Sequence, residues 1–368
     1  MKILITGGHL TPALAVIEEI KKQHPETEIV FVGRKYALDS EKTVSLEYKE
    51  ILRHNIRFIP LQAGRLTRVL TLKTVRNFLR IPLGFLNAFQ IIRSERPQIV
   101  LSFGGYIALP TIFWGKLFGA DVYTHEQTVH PGLANRLIGK ITKKNFVAFK
   151  EAANFFDRKK TVICGNPIRK SIFKVEKRPF VISKTKPVIY ITGGSLGSHS
   201  INVHVKDIIN DLLENYIVIH QIGETKEYHD YEDLTAQRNS MQKKLADNYF
   251  PVRHFFEDEI GYVYSQTDLL VGRSGANTFF ETLATRIPAL FIPLPWSSGR
   301  EQQKHAEIFA RHGIGEIFHQ IEPSGKLFRL IKSMIANLDF YRKNFNSLSM
   351  EYKQDAGRIM VSEIFAGR

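Results

Sequence analysis

Short apolar, β-branched runs alternate along the chain with segments of helical periodicity. Runs of this kind occupy Lys2–Thr6, Glu28–Val32, Ile99–Phe103 and Asp121–Thr124, and helical patterns such as Pro12–Gln23 lie between them. Apolar strands joined by helices are typical of parallel sheets that are covered on both faces. The first half of the chain therefore predicts a doubly wound α/β domain.

The same alternation appears a second time, in Val188–Thr192, Tyr216–Gln221, Leu269–Val271 and Ala289–Ile292. A stretch rich in Lys and Pro, within Gly165–Pro187, interrupts the periodicity between the two halves. We therefore expect two doubly wound domains, and ligands of such sheets bind at the carboxyl ends of the strands. The cleft between the two domains is the expected site.

The expected domain bounds are 1–165 and 166–344. The C-terminal stretch, about 328–365, has a helical pattern with a break near Leu338–Asp339. We expect its last helix, about 345–368, to pack back on the first domain.

The net charge of the chain indicates which classes of molecule it binds. The 368 residues carry 51 Lys and Arg against 36 Asp and Glu, a net charge of +15. This charge favours an anionic partner, which can be a phosphorylated small molecule, a nucleic acid or an anionic membrane surface. The single cysteine, Cys164, excludes an intramolecular disulfide and fits a cytosolic protein.

Neither an export signal nor a membrane-spanning helix is predicted. Gly7, Gly8 and His9 interrupt the apolar start of the chain, which is typical of a buried strand, a loop and a helix. No uncharged apolar run reaches the roughly 20 residues that a spanning helix needs. Any membrane contact is expected to be peripheral.

Four glycine-rich turns follow predicted strands, at residues 7–9, 104–106, 193–197 and 272–276. Glycine lets the backbone approach a ligand closely, and the helix after each turn offers unpaired N–H groups to an anion. The alternative for each turn is a tight strand-to-helix connection without a ligand. None of the four matches a P-loop or a dinucleotide-binding pattern.

Several polar residues near these turns have the chemistry of a sugar-nucleotide site. Glu281 can accept hydrogen bonds from the hydroxyls of a ribose, and Arg169 can pair with a diphosphate. His9 and Glu126 are candidates for a general base. Each also has a structural alternative, such as a solvated helix carboxylate or a surface arginine. The sequence shows no metal-ligand spacing, so we expect chemistry without a metal or cofactor.

Residues 64–97 combine basic and large apolar side chains with few acidic ones. Arg65, Arg68, Lys73, Arg76 and Arg80 interleave with leucine, valine, isoleucine and phenylalanine. This pattern predicts docking on anionic lipid, and its alternative is a helix that faces the core with a basic outer side. A nucleic-acid site is not expected, because neither a known motif nor a stacking platform is present.

Seven segments, taken in order, resemble the MurG family of N-acetylglucosaminyl transferases. They are GGHLTPALAV (7–16), LSFGGYIALP (101–110), HEQ (125–127) followed by PGLAN (131–135), GNPIR (165–169), GGSLGSHSIN (193–202), VGRSGANTFFE (271–281) and EQQKHAE (301–307). The resemblance covers essentially the whole chain. It implies the GT-B fold, with two Rossmann-like domains whose parallel sheets face a central cleft.

The resemblance also implies an activity: inverting, metal-independent transfer of N-acetylglucosamine from UDP-GlcNAc to an undecaprenyl-diphosphate-linked muramoyl-pentapeptide. This step belongs to peptidoglycan synthesis and takes place on the cytoplasmic face of the membrane. The implied partners are UDP-GlcNAc, a polyprenyl-diphosphate-linked acceptor and an anionic membrane surface.

By position in the motifs, the C-terminal half is expected to bind the UDP-sugar. The donor-binding residues implied in this way are Arg169, Ser195, Glu257, Ser274, Ala276, Glu281, Gln302 and Gln303. The N-terminal half is expected to bind the acceptor through Gly8, His9, Tyr106 and Asn135, with His9 and Glu126 as the catalytic residues.

The chain departs from the family pattern mainly in the expected acceptor half. The first glycine loop is shortened to Gly7-Gly8-His9, and Thr128 replaces the family's asparagine after His-Glu-Gln. Leu196 and His305 are further departures, both in the donor half. The alternatives are therefore a related transferase with a different lipid acceptor, an enzyme like UDP-GlcNAc 2-epimerase, and a binding protein for nucleotide sugars or nucleic acids.

Overall fold

The computed structural model describes residues 1–36, 44–61, 72–225, 227–348 and 355–367. Two compact units are present: Met1–Arg169 with Lys353–Arg368, and Lys170–Tyr352. The chain passes from the first unit to the second four residues beyond the expected bound at 165.

The first unit is built on a parallel sheet. Its strands are β1 (Lys2–Thr6), β2 (Glu28–Gly33), β3 (Arg57–Pro60), β4 (Ile99–Ser102), β5 (Asp121–Glu126), β6 (Lys144–Val147) and β7 (Thr161–Ile163). In the described part of the chain their order is β3-β2-β1-β4-β5-β6-β7. Its helices before the second unit are α1 (Leu10–Gln23), α2 (Leu46–Arg53), α3 (Leu72–Glu95), α4 (Ala108–Leu117) and α5 (Leu133–Ile141).

Successive residues of β1 are buried on opposite faces of this sheet. Ile3 and Ile5 belong to one apolar cluster, together with Ile17 of α1. Leu4 belongs to another cluster, together with Ile112 of α4. Because both faces are covered by helices, every position in such a strand must be apolar, which explains the continuous apolar runs in the sequence.

The second unit repeats this plan. Its strands are β8 (Val188–Thr192), β9 (Ile217–Gln221), β10 (Tyr249–Val252), β11 (Leu269–Gly272), β12 (Ala289–Phe291) and β13 (Gly315–Ile317). Among the described residues they form one parallel sheet in the order β10-β9-β8-β11-β12-β13. Its helices are α6 (His199–Asn215), α7 (Asp230–Ser240), α8 (Lys243–Ala246), α9 (Glu257–Gln266), α10 (Ala276–Thr285), α11 (Glu301–Arg311), α12 (Ser324–Ala336) and α13 (Leu338–Asn344).

The strand orders bring specific loops together. β1 pairs with β2 on one side and with β4 on the other, and Thr6 is the register partner of Ser102. In the second sheet β8 pairs with β9 and β11, and Thr192 is opposite Gly272. Each sheet thus has a topological switch point where two glycine-rich loops leave adjacent carboxyl ends, which is where ligands of such sheets bind.

The last helix, α14 (Ala356–Phe365), belongs to the first unit. The ring of Phe365 stacks on His24 at the end of α1, with centroids 3.9 Å apart. Met360, Val361 and Ile364 complete the apolar cluster beside the sheet. This helix therefore supplies apolar cover that residues 1–169 do not provide.

Two parallel-sheet Rossmann-like units confirm the predicted α/β class. The predicted break in the C-terminal helical stretch lies at Asn337, between α12 and α13. Among the described residues, no helix is both long and apolar enough to cross a bilayer.

Candidate active site

Two glycine loops meet at the carboxyl edge of the first sheet. Gly8 follows β1 with a φ of +142°, and a Cβ placed on it would lie 2.4 Å from the carbonyl oxygen of Gly104. A Cβ on Gly105 would lie 3.3 Å from Gly8 Cα. Only glycine allows this approach, so the loops after β1 and β4, which carry the predicted residues Gly8 and Tyr106, are in contact.

His9 occupies the N-cap position of α1 and is half-buried. Its Nδ1 lies 2.7 Å from the amide nitrogen of Gln127, beyond the end of β5. Burial lowers the pKa of His9 to about 4. The imidazole is therefore neutral at neutral pH, as a general base must be before it takes a proton.

Glu126 ends β5 and holds the chain that follows it. Its Oε1 accepts hydrogen bonds from the backbone N–H of Thr128 at 2.9 Å and from its hydroxyl at 2.7 Å. Its Oε2 accepts from the amide of Asn135 at 2.8 Å. The predicted residues Glu126 and Asn135 are thus brought together, and the carboxylate, which is 3% exposed, is engaged by three donors.

Glu47 also lies at this edge of the sheet and was not predicted from the sequence. Its Oε1 accepts from the backbone N–H of Gly8 at 3.3 Å, and its Oε2 accepts from that of Arg34 at 2.9 Å. A Cβ on Gly7 would lie 2.0 Å from Oε1, so the glycine makes room for the carboxylate. Burial raises the pKa of this carboxyl.

Tyr106 follows the second glycine loop, immediately before α4. The guanidinium of Arg34 lies 5.7 Å from the centroid of its ring, within the range of a cation–π contact. Arg34 therefore links the two residues: its backbone N–H donates to Glu47, and its guanidinium contacts the ring of Tyr106.

The edge of the second sheet carries the loop Gly193–Gly197. The backbone N–H of Gly194 donates to Thr192 Oγ1 at 3.0 Å, and Gln221 donates to the carbonyl of Gly194 at 3.1 Å. A Cβ on Gly197 would lie 2.0 Å from the carbonyl oxygen of Ile222. The predicted residue Ser195 is exposed at the tip of this loop.

The neighbouring loop, after β11, is organised around Ser274. The Ser274 hydroxyl donates to the carbonyl of Gln302 at 2.6 Å, and the ring of His305 donates from Nδ1 to the carbonyl of Ser274 at 2.8 Å. That ring stacks on Phe279 with centroids 4.5 Å apart. Burial lowers the pKa of His305 to about 4, so the ring is neutral while it holds the loop.

Ser274, Ala276 and Gln302, three predicted donor residues, thus lie around one loop. Ala276 is the first residue of α10, after the N-cap residue Gly275. Gln302 in α11 accepts from the backbone N–H of Leu294 at 2.9 Å through its side-chain oxygen. Gln303, next in the chain, donates to Glu307 at 3.0 Å.

Glu281 lies further along α10 and is 4% exposed. Its Oε2 accepts a hydrogen bond from the hydroxyl of Tyr264 in α9 at 2.9 Å. Glu257, the first residue of α9, is also buried and accepts from Ser171 at 3.4 Å. The predicted ribose and uracil residues therefore lie on two helices that share this hydrogen bond. Arg169 ends the first unit and is half-buried.

Arg273 is a buried residue whose role was missed, although its motif was noted. Its Nη1 donates to the carbonyl of Ile292, and its Nη2 donates to Ser198, Ser200 and Gln320, all at 2.8 Å. Burial lowers the pKa of the guanidinium to about 10, well above neutral pH. Arg273 belongs to the loop 272–276, and its guanidinium donates to Ser198, which directly follows the loop 193–197. A fixed positive charge therefore lies beneath these two glycine loops.

Comparisons with protein families match both halves of the chain. Residues 6–147 match the glycosyltransferase family 28 N-terminal domain, and residues 188–356 match the glycosyltransferase family 28 C-terminal domain.

Solved structures with the same fold include MurG from Acinetobacter baumannii, with a TM-score of 0.66 at 21% identity over 99% of both chains. A UDP-GlcNAc 2-epimerase from Neisseria meningitidis, solved with UDP-GlcNAc bound, has a TM-score of 0.65 at 13% identity over 99% of both chains. At these identities the two structures support the GT-B fold and no more.

Curated relatives are more specific. A protein of Clostridium novyi named UDP-N-acetylglucosamine–N-acetylmuramyl-(pentapeptide) pyrophosphoryl-undecaprenol N-acetylglucosamine transferase is 31% identical over 95% of this chain and 94% of its own. A protein of the same name from Treponema denticola is 32% identical over 85% of this chain and 81% of its own. The chain therefore belongs to the MurG family of N-acetylglucosaminyl transferases, within glycosyltransferase family 28.

Proposed function

We propose that this protein transfers N-acetylglucosamine from UDP-GlcNAc to an undecaprenyl-diphosphate-linked muramoyl-pentapeptide, the reaction for which its relatives are named. The observation that carries the proposal is the match to those relatives, over 95% of the chain in one case and 85% in the other. The reaction joins an acceptor hydroxyl oxygen to the anomeric carbon of the sugar and breaks the bond between that carbon and the diphosphate. UDP leaves, and the hydroxyl proton passes to a base.

The second unit is the donor domain in this proposal. Glu281, held by Tyr264, accepts hydrogen bonds from the ribose hydroxyls, and the start of α9 at Glu257 faces the uracil. Ser195 and Ser274 meet the diphosphate, and Ala276, Gln302 and Gln303 meet the sugar. Arg169, the last residue of the first unit before the chain enters the second, also pairs with the diphosphate in this proposal. Two glycine loops above the buried charge of Arg273 suit a dianionic leaving group, because hydrogen-bond donors and fixed charge stabilise developing negative charge.

The first unit, residues 1–169 with α14, is the acceptor domain. His9 is the base, since it is neutral and lies in the loop after β1, which contacts the loop after β4. Glu126 acts as a positioning residue rather than a second base, because three hydrogen bonds already occupy its two oxygens. Tyr106 and Asn135 line the acceptor site beside Gly8.

A related transferase with a different lipid acceptor is the second candidate. The observation that favours it is the short first loop, where the carboxylate of Glu47 already accepts from the N–H of Gly8. A negative charge at that position disfavours a second anion. Acceptor identity is therefore the part of the proposal that most needs a direct assay.

The test is acceptor-dependent release of UDP by the purified protein. With UDP-GlcNAc and the muramoyl-pentapeptide lipid, we expect UDP to appear only when the acceptor is present. Turnover with a diacylglycerol or a polyprenyl-phosphate sugar, and none with the muramoyl lipid, would replace the first candidate by the second. Thermal shifts with UDP but not with oligonucleotides are expected, and a specific oligonucleotide shift would favour a nucleic-acid-binding protein.

Peripheral attachment to the cytoplasmic face of the membrane is part of the proposal. The basic residues Arg65 and Arg68 lie outside the described residues, as do the side chains of Lys73, Arg76 and Arg80. The described part of α3, the adjacent α4 and its C-cap residue expose large apolar side chains, namely Leu83, Leu86, Phe113, Leu117 and Phe118. Such a surface, near exposed Lys116 and Arg93, suits insertion among anionic headgroups.

Vesicle flotation tests this attachment. Leu117, which is 65% exposed, is replaced by aspartate, and Val181→Asp in the second unit, at a residue 81% exposed, is the matched control. We expect Leu117→Asp to lower binding to vesicles rich in phosphatidylglycerol several-fold and the control to leave it unchanged. Equal binding of both variants would remove this surface from the account.

A further inference from the structure

We propose that Gln127 is a positioning residue that sets which ring nitrogen of His9 carries the proton. The proposal rests on the proposed function, in which His9 accepts the acceptor's hydroxyl proton. Among the hydrogen bonds of the described residues, Gln127 is the one side chain that contacts a ring nitrogen of His9, namely Nδ1. The proposal assigns a role to that contact.

The contact between the two residues is short and well supported. Gln127 is 5% exposed, and its amide nitrogen lies 2.7 Å from His9 Nδ1. The residue before it, Glu126, is held by Thr128 and Asn135, so the backbone that carries Gln127 is fixed. The backbone of His9 is held in turn by its place at the N-cap of α1.

The amide oxygen of Gln127 is buried and has no hydrogen-bond partner in the described part of the chain. A side-chain amide offers an oxygen and a nitrogen of similar size, so a half-turn exchanges them at the same distance from Nδ1. With the nitrogen toward His9, the amide donates to Nδ1, and the ring proton is on Nε2. With the oxygen toward His9, the amide accepts from Nδ1–H, and Nε2 has a free lone pair.

Only the second arrangement makes His9 a base at Nε2. The acceptor hydroxyl then gives its proton to Nε2 while its oxygen bonds to the anomeric carbon and UDP leaves. After that transfer both ring nitrogens carry protons, and the Gln127 oxygen still accepts from Nδ1–H. An amide therefore supports the ring in both protonation states without the permanent negative charge of a carboxylate.

Among the residues that the structure describes, the charged and titratable groups around His9 belong to α2, to β5 and to the chain after β2. Glu47 from α2 accepts from Gly8 N–H, Glu126 precedes Gln127, and Arg34 follows β2. His125 in β5 is itself neutral, because burial lowers its pKa to about 4. A carboxylate at position 127 would place a negative charge within hydrogen-bond distance of His9 Nδ1. In the described part of the chain, no charged group makes a hydrogen bond with either ring nitrogen of His9.

Two variants test the proposal. Gln127→Glu fixes Nδ1–H and stabilises the protonated ring, so the acidic limb of kcat/KM for the acceptor is expected to move up by about one pH unit or more. Gln127→Met removes both hydrogen-bonding atoms, and kcat is expected to fall at least about tenfold, less than the roughly 100-fold or greater loss expected when the base itself is removed, with UDP affinity unchanged. Gln237→Glu in α7 adds the same charge elsewhere and is expected to leave the pH profile in place.

Histidine-selective ¹⁵N NMR reads the tautomer without turnover. The His9 signals are assigned with a His9→Gln variant. At pH 7 we expect Nδ1–H in the resting protein and a shift toward Nε2–H in Gln127→Met. Nε2–H in the resting protein, or an unmoved acidic limb in Gln127→Glu, would overturn the proposal. Absence of any acceptor turnover would instead count against the proposed function, while the NMR result still decides the role of Gln127.

Discussion

Replacing Glu281 with glutamine isolates the charge of the proposed ribose ligand. The side chain is 4% exposed and accepts from the Tyr264 hydroxyl at 2.9 Å, so removing it altogether would leave a buried donor without that acceptor. Glutamine has nearly the same shape, and its oxygen can keep the bond to Tyr264. The variant therefore changes what the ribose meets while the packing between α9 and α10 is retained.

The expected loss follows from the strengths of the hydrogen bonds. A bond to a charged acceptor is worth about 1.5–3 kcal/mol and a neutral one about 1 kcal/mol. Two ribose hydroxyls then lose about 2 kcal/mol together, which corresponds to a Kd for UDP raised roughly 30-fold. Tyr264→Phe leaves the carboxylate in place and is expected to raise the Kd less than tenfold.

Titration calorimetry with UDP measures this effect, and urea unfolding shows that the fold is intact. Glu214→Gln, at an exposed position near the end of α6, is the matched control and should bind UDP as the parent does. A Kd for Glu281→Gln within twofold of the parent would refute the ribose role.

Three further outcomes are expected. His125, His220 and His305 are buried and His9 is half-buried, and burial lowers their pKa values in the folded protein to about 3 to 4, so all four take up protons on unfolding below pH 6.5. The free energy of unfolding is expected to fall as pH drops from 7 to 5, by up to about 1.4 kcal/mol per pH unit for each histidine, and urea unfolding that is flat over this range would contradict this. Arg273→Met removes four hydrogen bonds, including the one to the buried carbonyl of Ile292, and is expected to destabilise the second unit by about 3 kcal/mol in urea unfolding. An unchanged free energy of unfolding would contradict this. His9→Ala is expected to keep UDP affinity and to lower kcat about 100-fold or more, and unchanged turnover would remove His9 as the base.

The periodicity of the sequence was sufficient to predict the two parallel sheets. Central strands such as β1 and β8 are almost entirely apolar because both their faces are covered, and such continuous apolar runs can be recognised in the sequence. Strands β3, β6, β7, β10 and β13 were not predicted, because each has only three or four residues and gives too short a pattern. All but β6 are edge strands, and most of their residues are only partly buried. The order of the strands was not predicted, because no local pattern specifies which strands are neighbours.

The candidate site was predictable where glycine marks a turn. Gly8 and Ser274 stand in such turns, so their placement at the sheet edges follows from the motif. Glu281 lies in the helix that follows the second of these turns. Glu47 and Gln127 gave no comparable signal, since their partners lie 39 and 118 residues away in the chain. Long-range hydrogen bonds of this kind depend on the three-dimensional arrangement of the loops, which a local pattern does not encode.

The central claim is tested most directly by analysing the lipid product. The purified protein is incubated with UDP-GlcNAc and the undecaprenyl-diphosphate-linked muramoyl-pentapeptide, and the lipid is examined by mass spectrometry and NMR. The account predicts one added N-acetylglucosamine in the β configuration and one UDP released for each acceptor consumed. An unmodified lipid with UDP-GlcNAc converted to its epimer, or an α-linked product, would contradict it.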